Sequence, residues 1–222
     1  MAAFGTMYFI PIYIQLRGGN AAQAGLRFIP QAAGNAVGAV GAGYFIKRTG
    51  NYVYFTIVSH IFLLTSSALN MSLSWNTPSW CPFAFLDLTG LGFGGILATT
   101  MVALISSVDQ KIHAVATSAS FAFRAIGSYT GLSVASAIFQ NVLRYKLEQT
   151  LNGEDVDTLI EKIRQNFDVI WELPPDVQAV VQNSYTTSLT AVFIAIMAMS
   201  TSSLVCSLFM KQNMLYSNLN RR

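Results

Sequence analysis

The sequence predicts an all-α polytopic membrane protein with a bundle of six transmembrane helices. Apolar residues make up 53% of the 222 residues and charged residues only 10%, whereas a typical soluble domain is about 25% charged. Uncharged runs recur along the chain, and most of them reach the roughly 20 residues that a membrane-spanning helix needs. Eight of the ten acidic residues lie between Glu148 and Asp176, outside these runs.

The spans are assigned in chain order. We predict them at residues 1–16, 28–46, 52–73, 79–108, 114–143 and 185–210. The first is short, because its helix would rise only about 24 Å against a hydrocarbon core of about 30 Å. We therefore expect the chain to begin inside a helix. The fourth and fifth spans each carry one charge, Asp87 and Arg124.

Glycines concentrate in the second, fourth and fifth spans, which hold ten of the sixteen. Gly34 and Gly38 have the small-xxx-small spacing that lets helix backbones approach closely. Such a pair is explained by packing alone or, functionally, by helices that rock against each other during a transport cycle. The third and sixth spans lack glycine, which predicts a peripheral place for them in the bundle.

One polar segment, residues 144–184, separates the fifth span from the sixth. Its apolar residues from Val156 to Ile170 follow the spacing of an amphipathic helix. We expect this helix to pack on the extramembrane ends of the bundle as an acidic, extracytosolic cap. Residues 211–222 then form a tail on the other side of the membrane.

The short loops predict the orientation. Six basic residues lie near the span ends on the side of Lys47, Arg48 and the C-terminal tail, against four on the opposite side. Cytosolic loops carry an excess of Lys and Arg. This places the Lys47 loop and the tail in the cytosol, and the acidic segment outside the cell or in an organelle lumen.

Several function classes are excluded. A net charge of +3 is too small to indicate a nucleic-acid partner. His60 and His113 are the only histidines, and neither they nor Cys81 and Cys206 have metal-ligand spacing. The sequence has no Gly-rich phosphate loop and no nucleophile elbow. We therefore predict no enzyme activity, no cofactor and no metal.

The loop between the second and third spans carries a family motif. Residues 43–52 read Gly-Tyr-Phe-Ile-Lys-Arg-Thr-Gly-Asn-Tyr, which resembles the G-x-L-x-D-R-x-G-R-R gating loop of the major facilitator superfamily. Gly43, Arg48 and Gly50 match that pattern. Lys47 stands where the family has Asp, so the match supports the family rather than an intact gating latch.

Three further stretches, residues 8–15, 24–30 and 123–128, are similar to the fourteen-span drug:proton antiporter branch in fungi. The resemblance covers nearly the whole chain, as the C-terminal six-helix half only. It implies a secondary, proton-coupled transporter of drugs or basic amino acids in the plasma or vacuolar membrane. Its partners would be the lipid bilayer, a small-molecule substrate, protons, and a missing N-terminal half-bundle or a second copy. The alternative is a half-bundle with a structural or regulatory role and no transport.

The resemblance also implies which residues line the pathway, because the first, second, fourth and fifth helices of a half face the central cavity in this superfamily. The candidates are Tyr13, Gln15, Gln31, Asn35, Asp87, Arg124 and Ser128. Packing or an inter-helix hydrogen bond is the alternative for each of them.

The two intramembrane charges are functional hypotheses, because burying a charge in a membrane is costly. Asp87 could carry a proton or face a cationic substrate, or it could be a structural or interfacial residue. Arg124 could hold Asp87 ionised, contact an anionic group such as an amino-acid carboxylate, or bond backbone carbonyls. His60, in the third span, could serve in a proton relay, but a lone histidine without a nearby acid is more often structural.

Overall fold

The computed structural model describes residues 2–18, 25–26, 28–73, 77–78, 80–150 and 174–212. Across these residues the chain folds into helices, and none of them is in a strand. The α-helices are α1 (Ala2–Leu16), α2 (Ile29–Thr49), α3 (Tyr52–Met71), α4 (Cys81–Ser107), α5 (His113–Thr150) and α6 (Pro175–Leu208). A 3-10 turn at Gln110–Ile112 joins α4 to α5.

The two longest helices extend beyond the membrane segments that hydropathy predicts. The fifth helix continues past residue 143 to Thr150, and α6 begins at Pro175, ten residues before residue 185. A helix can continue from water into lipid without a break at the membrane surface, so hydropathy alone does not locate its ends. The amphipathic helix predicted from residue 156 lies outside the described residues.

The prediction of six spans is supported for only three helices. Of the described helices, α3, α4 and residues Val177–Leu208 of α6 are long and apolar enough to cross a membrane, and α1 is apolar but shorter. The second helix is built largely from Gly and Ala, and α5 combines Arg124 with many serines. These residues make both helices less apolar, so their crossing stays a prediction.

Hydrogen bonds at the two ends of the bundle fix which loops lie together. Arg17 follows α1, and its Nη1 donates to the carbonyl oxygen of Thr77, just before α4, at 2.6 Å. At the opposite end, the Tyr52 hydroxyl donates to the carbonyl oxygen of Lys211 at 2.8 Å. We call these the Thr77 end and the Gly50 end. The start of the C-terminal tail therefore lies beside the α2–α3 turn.

The apolar core joins α1, α5 and α6. The ring centres of Phe9 and Phe139 lie 5.4 Å apart, and those of Phe139 and Tyr185 lie 5.8 Å apart. Phe9 and Tyr185 are 1% exposed or less. These three rings fix how the first and last helices pack against α5.

Polar side chains hold α3 to its neighbours. His60 Nδ1 lies 2.8 Å from the carbonyl oxygen of Thr56, and its Nε2 lies 2.9 Å from Ser203 Oγ on α6. Because a carbonyl can only accept, the Nδ1 proton is donated to it, and in the neutral ring Nε2 accepts from the serine. His60 is only 4% exposed, and both of its ring nitrogens have hydrogen-bond partners. It therefore links α3 to α6 as a structural residue.

Glycines bring α2 and α4 into backbone contact. A Cβ added at Gly90 would overlap the carbonyl oxygen of Gln31, and one at Gly34 would lie 2.7 Å from Asp87 Oδ1. The contact continues at Gly38 and Gly94. We call these four glycines the α2–α4 seam. At Gly34 and Gly38 the spacing read from the sequence therefore marks a place where two backbones touch.

Candidate substrate groove and gating loop

A groove runs between α1 and α5 and contains two clefts. The stripe of α1 that faces it begins at Phe4 and ends at Gln15, and the facing stripe of α5 runs from Phe121 to Gln140. Both stripes repeat every three or four residues, as one face of a helix does. The two helices point the same way, so one cleft lies toward the Gly50 end and the other toward the Thr77 end.

The cleft toward the Gly50 end, which we call the Arg124 cleft, has a volume of about 270 Å³. It is lined by Phe4, Phe121, Arg124, Ala125, Ser128, Tyr129 and Leu132. Arg124 Nη2 donates to Thr100 Oγ1 of α4 at 3.3 Å, and its Cζ lies 5.6 Å from the centre of the Phe121 ring. The Ser128 hydroxyl donates to the carbonyl oxygen of Arg124 at 2.8 Å, within the same helix.

Arg124 does not pair with Asp87. In the described part of the chain the only ion pair joins Arg144 to Glu148. Arg124 is bound to Thr100, which follows Asp87 by thirteen residues on α4, so about 20 Å of helix separates the two charges. The hypothesis that Arg124 holds Asp87 ionised is therefore wrong.

The second cleft, which we call the Gln15 cleft, lies toward the Thr77 end and has a volume of about 440 Å³. It is lined by Met7, Tyr8, Phe9, Pro11, Ile12, Gln15, Ser136, Phe139, Gln140 and Tyr185. Two amides and a serine hydroxyl make this wall more polar than that of the Arg124 cleft. Gln15 thus lies where a pathway between α1 and α5 would open.

Three of the sequence candidates meet at the α2–α4 seam. Asp87 Oδ1 lies against Gly34, the Asn35 side-chain oxygen lies against Gly94, and the Gln31 carbonyl oxygen lies against Gly90. Gln31 is 5% exposed, and its Oε1 has no hydrogen-bond partner among the described residues. The Asp87 carboxylate is half-buried, and no described side chain forms an ion pair with it.

Tyr13 is the one candidate on α1 that faces the core instead of a cleft. It is 2% exposed and belongs to the apolar core. Arg17 Nη1 donates to its hydroxyl at 3.2 Å, and the guanidinium carbon lies 5.7 Å from the ring centre. Tyr13 therefore helps position Arg17 at the Thr77 end.

The residues of the gating-loop motif lie at the end of α2. Gly50 has φ +70°, a left-handed conformation that favours glycine, and its N–H donates to the carbonyl oxygen of Ile46 at 2.8 Å. Lys47 and Arg48 are exposed, and Arg48 Nη1 donates to the Tyr44 hydroxyl at 3.3 Å. Gly43 has open space around it, with no atom within 4 Å of an added Cβ.

Sequence reasoning missed the apolar wall of the Arg124 cleft and the Thr100 bond. Phe121, Ala125 and Leu132 have helical spacing, but α5 is apolar on other faces too, so the spacing does not select this face. Phe4 and Thr100 come from other helices and give no signal in the sequence of α5. Among the described residues, no group of three His, Cys, Asp or Glu side chains could hold a metal.

No protein-family model matches the chain. The multidrug resistance protein fnx1 of Schizosaccharomyces pombe is 33% identical over 203 residues, which cover 90% of this chain and 38% of that protein. The vacuolar membrane amino acid uptake transporter fnx2 of the same yeast is 30% identical over 212 residues, covering 95% of this chain and 37% of that protein.

A more distant relative is the vacuolar basic amino acid transporter 2 of Saccharomyces cerevisiae, 24% identical over 83% of this chain and 40% of that protein. The chain thus spans 37–40% of the length of these three relatives. Two of the three are named as transporters, which supports the prediction that the chain is not an enzyme. Over nine tenths or more of its length, the chain is also similar to proteins named as MFS transporters, that is, transporters of the major facilitator superfamily.

Proposed function

We propose that this chain is one helical bundle of a secondary transporter that carries a small organic molecule, a drug or an amino acid, across a membrane. The observation that carries the proposal is the similarity over at least 90% of the chain to a multidrug resistance protein and an amino acid uptake transporter. Coupling to protons and alternating access follow from the resemblance to the antiporter branch. The plasma membrane and the vacuolar membrane are the two candidate locations.

In this proposal six helices cross the bilayer, with the Gly50 end in the cytosol. Each helix begins at the end of the bundle where the preceding one stops, so the chain crosses from end to end six times. The glycine-rich α2 crosses beside the apolar α4, against which its backbone packs at the α2–α4 seam. Close packing of this kind allows a helix of small residues to sit inside a membrane bundle.

The groove between α1 and α5 supports a pathway through the bundle. An ionisable side chain at membrane depth is a functional hypothesis by default, and Arg124 has no carboxylate partner among the described residues. The Gln15 cleft extends the groove to the opposite end of the bundle. Asp87, beside the seam, is the residue we assign to proton coupling, because it is an acid at membrane depth without a basic partner in the described residues.

A transporter of this kind binds its substrate between two bundles that rock about a midplane site. The chain spans less than two fifths of the length of fnx1 and fnx2. The second bundle would therefore come from residues outside this sequence or from a second copy. Without it, the polar groups on the α1–α5 face would meet lipid, which is costly for each unsatisfied group.

Reconstitution in liposomes tests the proposal. We would measure uptake of radiolabelled lysine, as the basic amino acid, and of ethidium, as the cationic drug, under an imposed pH gradient. The chain co-expressed with a matching six-helix bundle should show saturable, gradient-dependent uptake, and the chain alone should show none. Saturable uptake by the chain alone would instead support a dimer of two copies. No uptake of either compound, or of an organic acid, in any combination would favour the structural or regulatory role.

A further inference from the structure

We propose that the Arg124 cleft binds the carboxylate of an amphipathic organic acid, with the guanidinium on the carboxylate and the apolar body of the ligand against the rings of the cleft. This narrows the substrate class and rests on the proposed function. The cleft holds one cation, the buried hydroxyl of Ser128, the exposed phenol of Tyr129 and otherwise apolar side chains. A ligand that matches it has one anionic head and an apolar or aromatic body.

The guanidinium has unused donors. It carries five N–H groups in a planar fork, and its one hydrogen bond to a described residue is to Thr100 Oγ1, at 3.3 Å. The guanidinium carbon lies over the Phe121 ring, 5.6 Å from its centre. A carboxylate can accept two parallel hydrogen bonds from such a fork, and charge-assisted bonds of this kind are stronger than neutral ones. Lysine could not reproduce the two-pronged contact.

The rest of the wall disfavours other head groups. Among the described residues no acidic side chain lines this cleft, so an ammonium group would have no partner there and would lie near a positive charge. A zwitterionic amino acid would satisfy its carboxylate and leave its ammonium without a carboxylate on this wall. Phe4, Tyr129 and Leu132 provide apolar surface for the body of the ligand.

The volume sets the size of the ligand. About 270 Å³ is slightly below the range of about 300–1,000 Å³ found for pockets that bind drug-sized molecules. A single aromatic ring with a short chain fits such a space. Phenylbutyrate is a suitable probe because phenylbutanol and phenylbutylamine have the same ring and chain with a neutral and a cationic head.

The test measures protection of a cysteine in membranes. In a background with Cys81→Ser and Cys206→Ser, Ala125→Cys places a thiol in the cleft with little change of volume. The matched control is Ala122→Cys, an exposed position three residues earlier on α5 that does not line the cleft. The rate of labelling by a polar maleimide is measured in membranes where the chain is co-expressed with a matching bundle.

Phenylbutyrate should slow labelling at position 125 and leave the rate at position 122 unchanged, while the alcohol and the amine should protect at least about tenfold more weakly. Arg124→Gln should lose this head-group preference, and Arg124→Lys should keep part of it. Lys111→Gln, which removes an exposed charge outside the cleft, should behave like the parent. A cooperative thermal unfolding transition of Arg124→Gln in detergent shows that the variant is folded.

Equal protection by all three compounds, or protection that survives Arg124→Gln, would overturn the carboxylate assignment, as would no protection at all. If lysine or ethidium is taken up while any of these results is obtained, the carboxylate assignment fails and the proposed transport function still holds. Head-group-selective protection with no uptake of any compound, phenylbutyrate included, would support a carboxylate site and overturn the proposed transport.

Discussion

The side chain of Gln212 bonds the turn between α2 and α3 from both of its amide atoms. Its Nε2 donates to the carbonyl oxygen of Gly50 at 2.8 Å, and its Oε1 accepts from the N–H of Val53 at 3.4 Å. The Tyr52 hydroxyl adds a bond to the carbonyl oxygen of Lys211 at 2.8 Å. The residues that follow α6 are thus attached to the gating loop.

This contact predicts the topology. Lys47 and Lys211 should lie on one side of the membrane, and Glu148, near the end of α5, on the other, because an odd number of crossings separates them. In a cysteine-free background, Lys47→Cys and Lys211→Cys should react together with a membrane-impermeant maleimide from the cytosolic side, and Glu148→Cys only from the opposite side. All three side chains are exposed in the structure. Labelling of all three from one side would contradict the six-span arrangement.

The α2–α4 seam predicts that one methyl group added to a seam glycine strongly destabilises the protein. Gly90→Ala should lower the free energy of unfolding by about 1–3 kcal/mol or more, because the added carbon meets backbone and the helices must separate. Gly43→Ala is the matched control, since its Cβ would meet open space and alanine favours a helix over glycine by about 0.5–1 kcal/mol. Thermal unfolding in detergent measures both. Equal stability of the two variants would mean that the seam is looser than described.

The bond between His60 and Ser203 predicts a measurable coupling between α3 and α6. Inter-helix hydrogen bonds in membrane proteins average about 0.6 kcal/mol and reach about 1.7 kcal/mol. A double-mutant cycle with His60→Gln and Ser203→Ala should give a coupling energy in that range. Ser202→Ala is the control, because its hydroxyl donates to the Ala198 carbonyl oxygen within α6. That variant should show no coupling to His60→Gln.

Asp87 and Arg124 should act independently. Asp87 and Thr100, the residue that Arg124 contacts, lie about 20 Å apart along α4. Changes at two sites this far apart with no shared partner should have additive effects on the free energy of unfolding, within about 0.3–0.5 kcal/mol. Breaking a real buried pair would cost about 3–5 kcal/mol for either single change, and the double change would recover part of it. The cycle of Asp87→Asn and Arg124→Gln distinguishes the two cases. Recovery in the double variant would restore the pairing hypothesis.

Asp87 is also expected to carry the proton coupling. Asp87→Asn keeps the shape of the side chain and removes the titrating group, so uptake driven by a pH gradient should be lost in the two-bundle protein. Exchange of labelled for unlabelled substrate at equal pH should survive, because it needs no proton movement. Expression and thermal stability provide the control for folding. Retained gradient-driven uptake would remove Asp87 from the proton pathway.

The sequence located the helices well where turn chemistry reinforces hydropathy. Gly50 ends α2 by adopting a positive φ, and Asn51 caps α3 by accepting from the N–H groups of Val53 and Tyr54. Residues 28–46 and 52–73 were predicted, and the helices are Ile29–Thr49 and Tyr52–Met71. The polar ends of α5 and α6 were not predicted as helix, because helical hydrogen bonds do not depend on apolar side chains.

The candidate site was harder to predict because its geometry depends on how helices pair. The family resemblance selected Gln31, Asn35 and Asp87 without indicating that glycines would bring them to one seam. The same resemblance selected Arg124. Sequence spacing could not reveal that Arg124 binds Thr100, which lies far from Asp87 along α4. The register of one helix against another is set by tertiary packing, so it cannot be predicted from the sequence of one helix.

The α2–α4 seam also restricts how the gene can vary. Every single-nucleotide missense change of a glycine codon introduces a larger residue, so no such change at Gly34, Gly38, Gly90 or Gly94 conserves volume. Because an added carbon at each position meets the facing helix, compensation would require a second mutation that moves a backbone rather than one that shortens a side chain. These four codons should therefore be under strong purifying selection, whereas the codon for Gly43 can accept alanine.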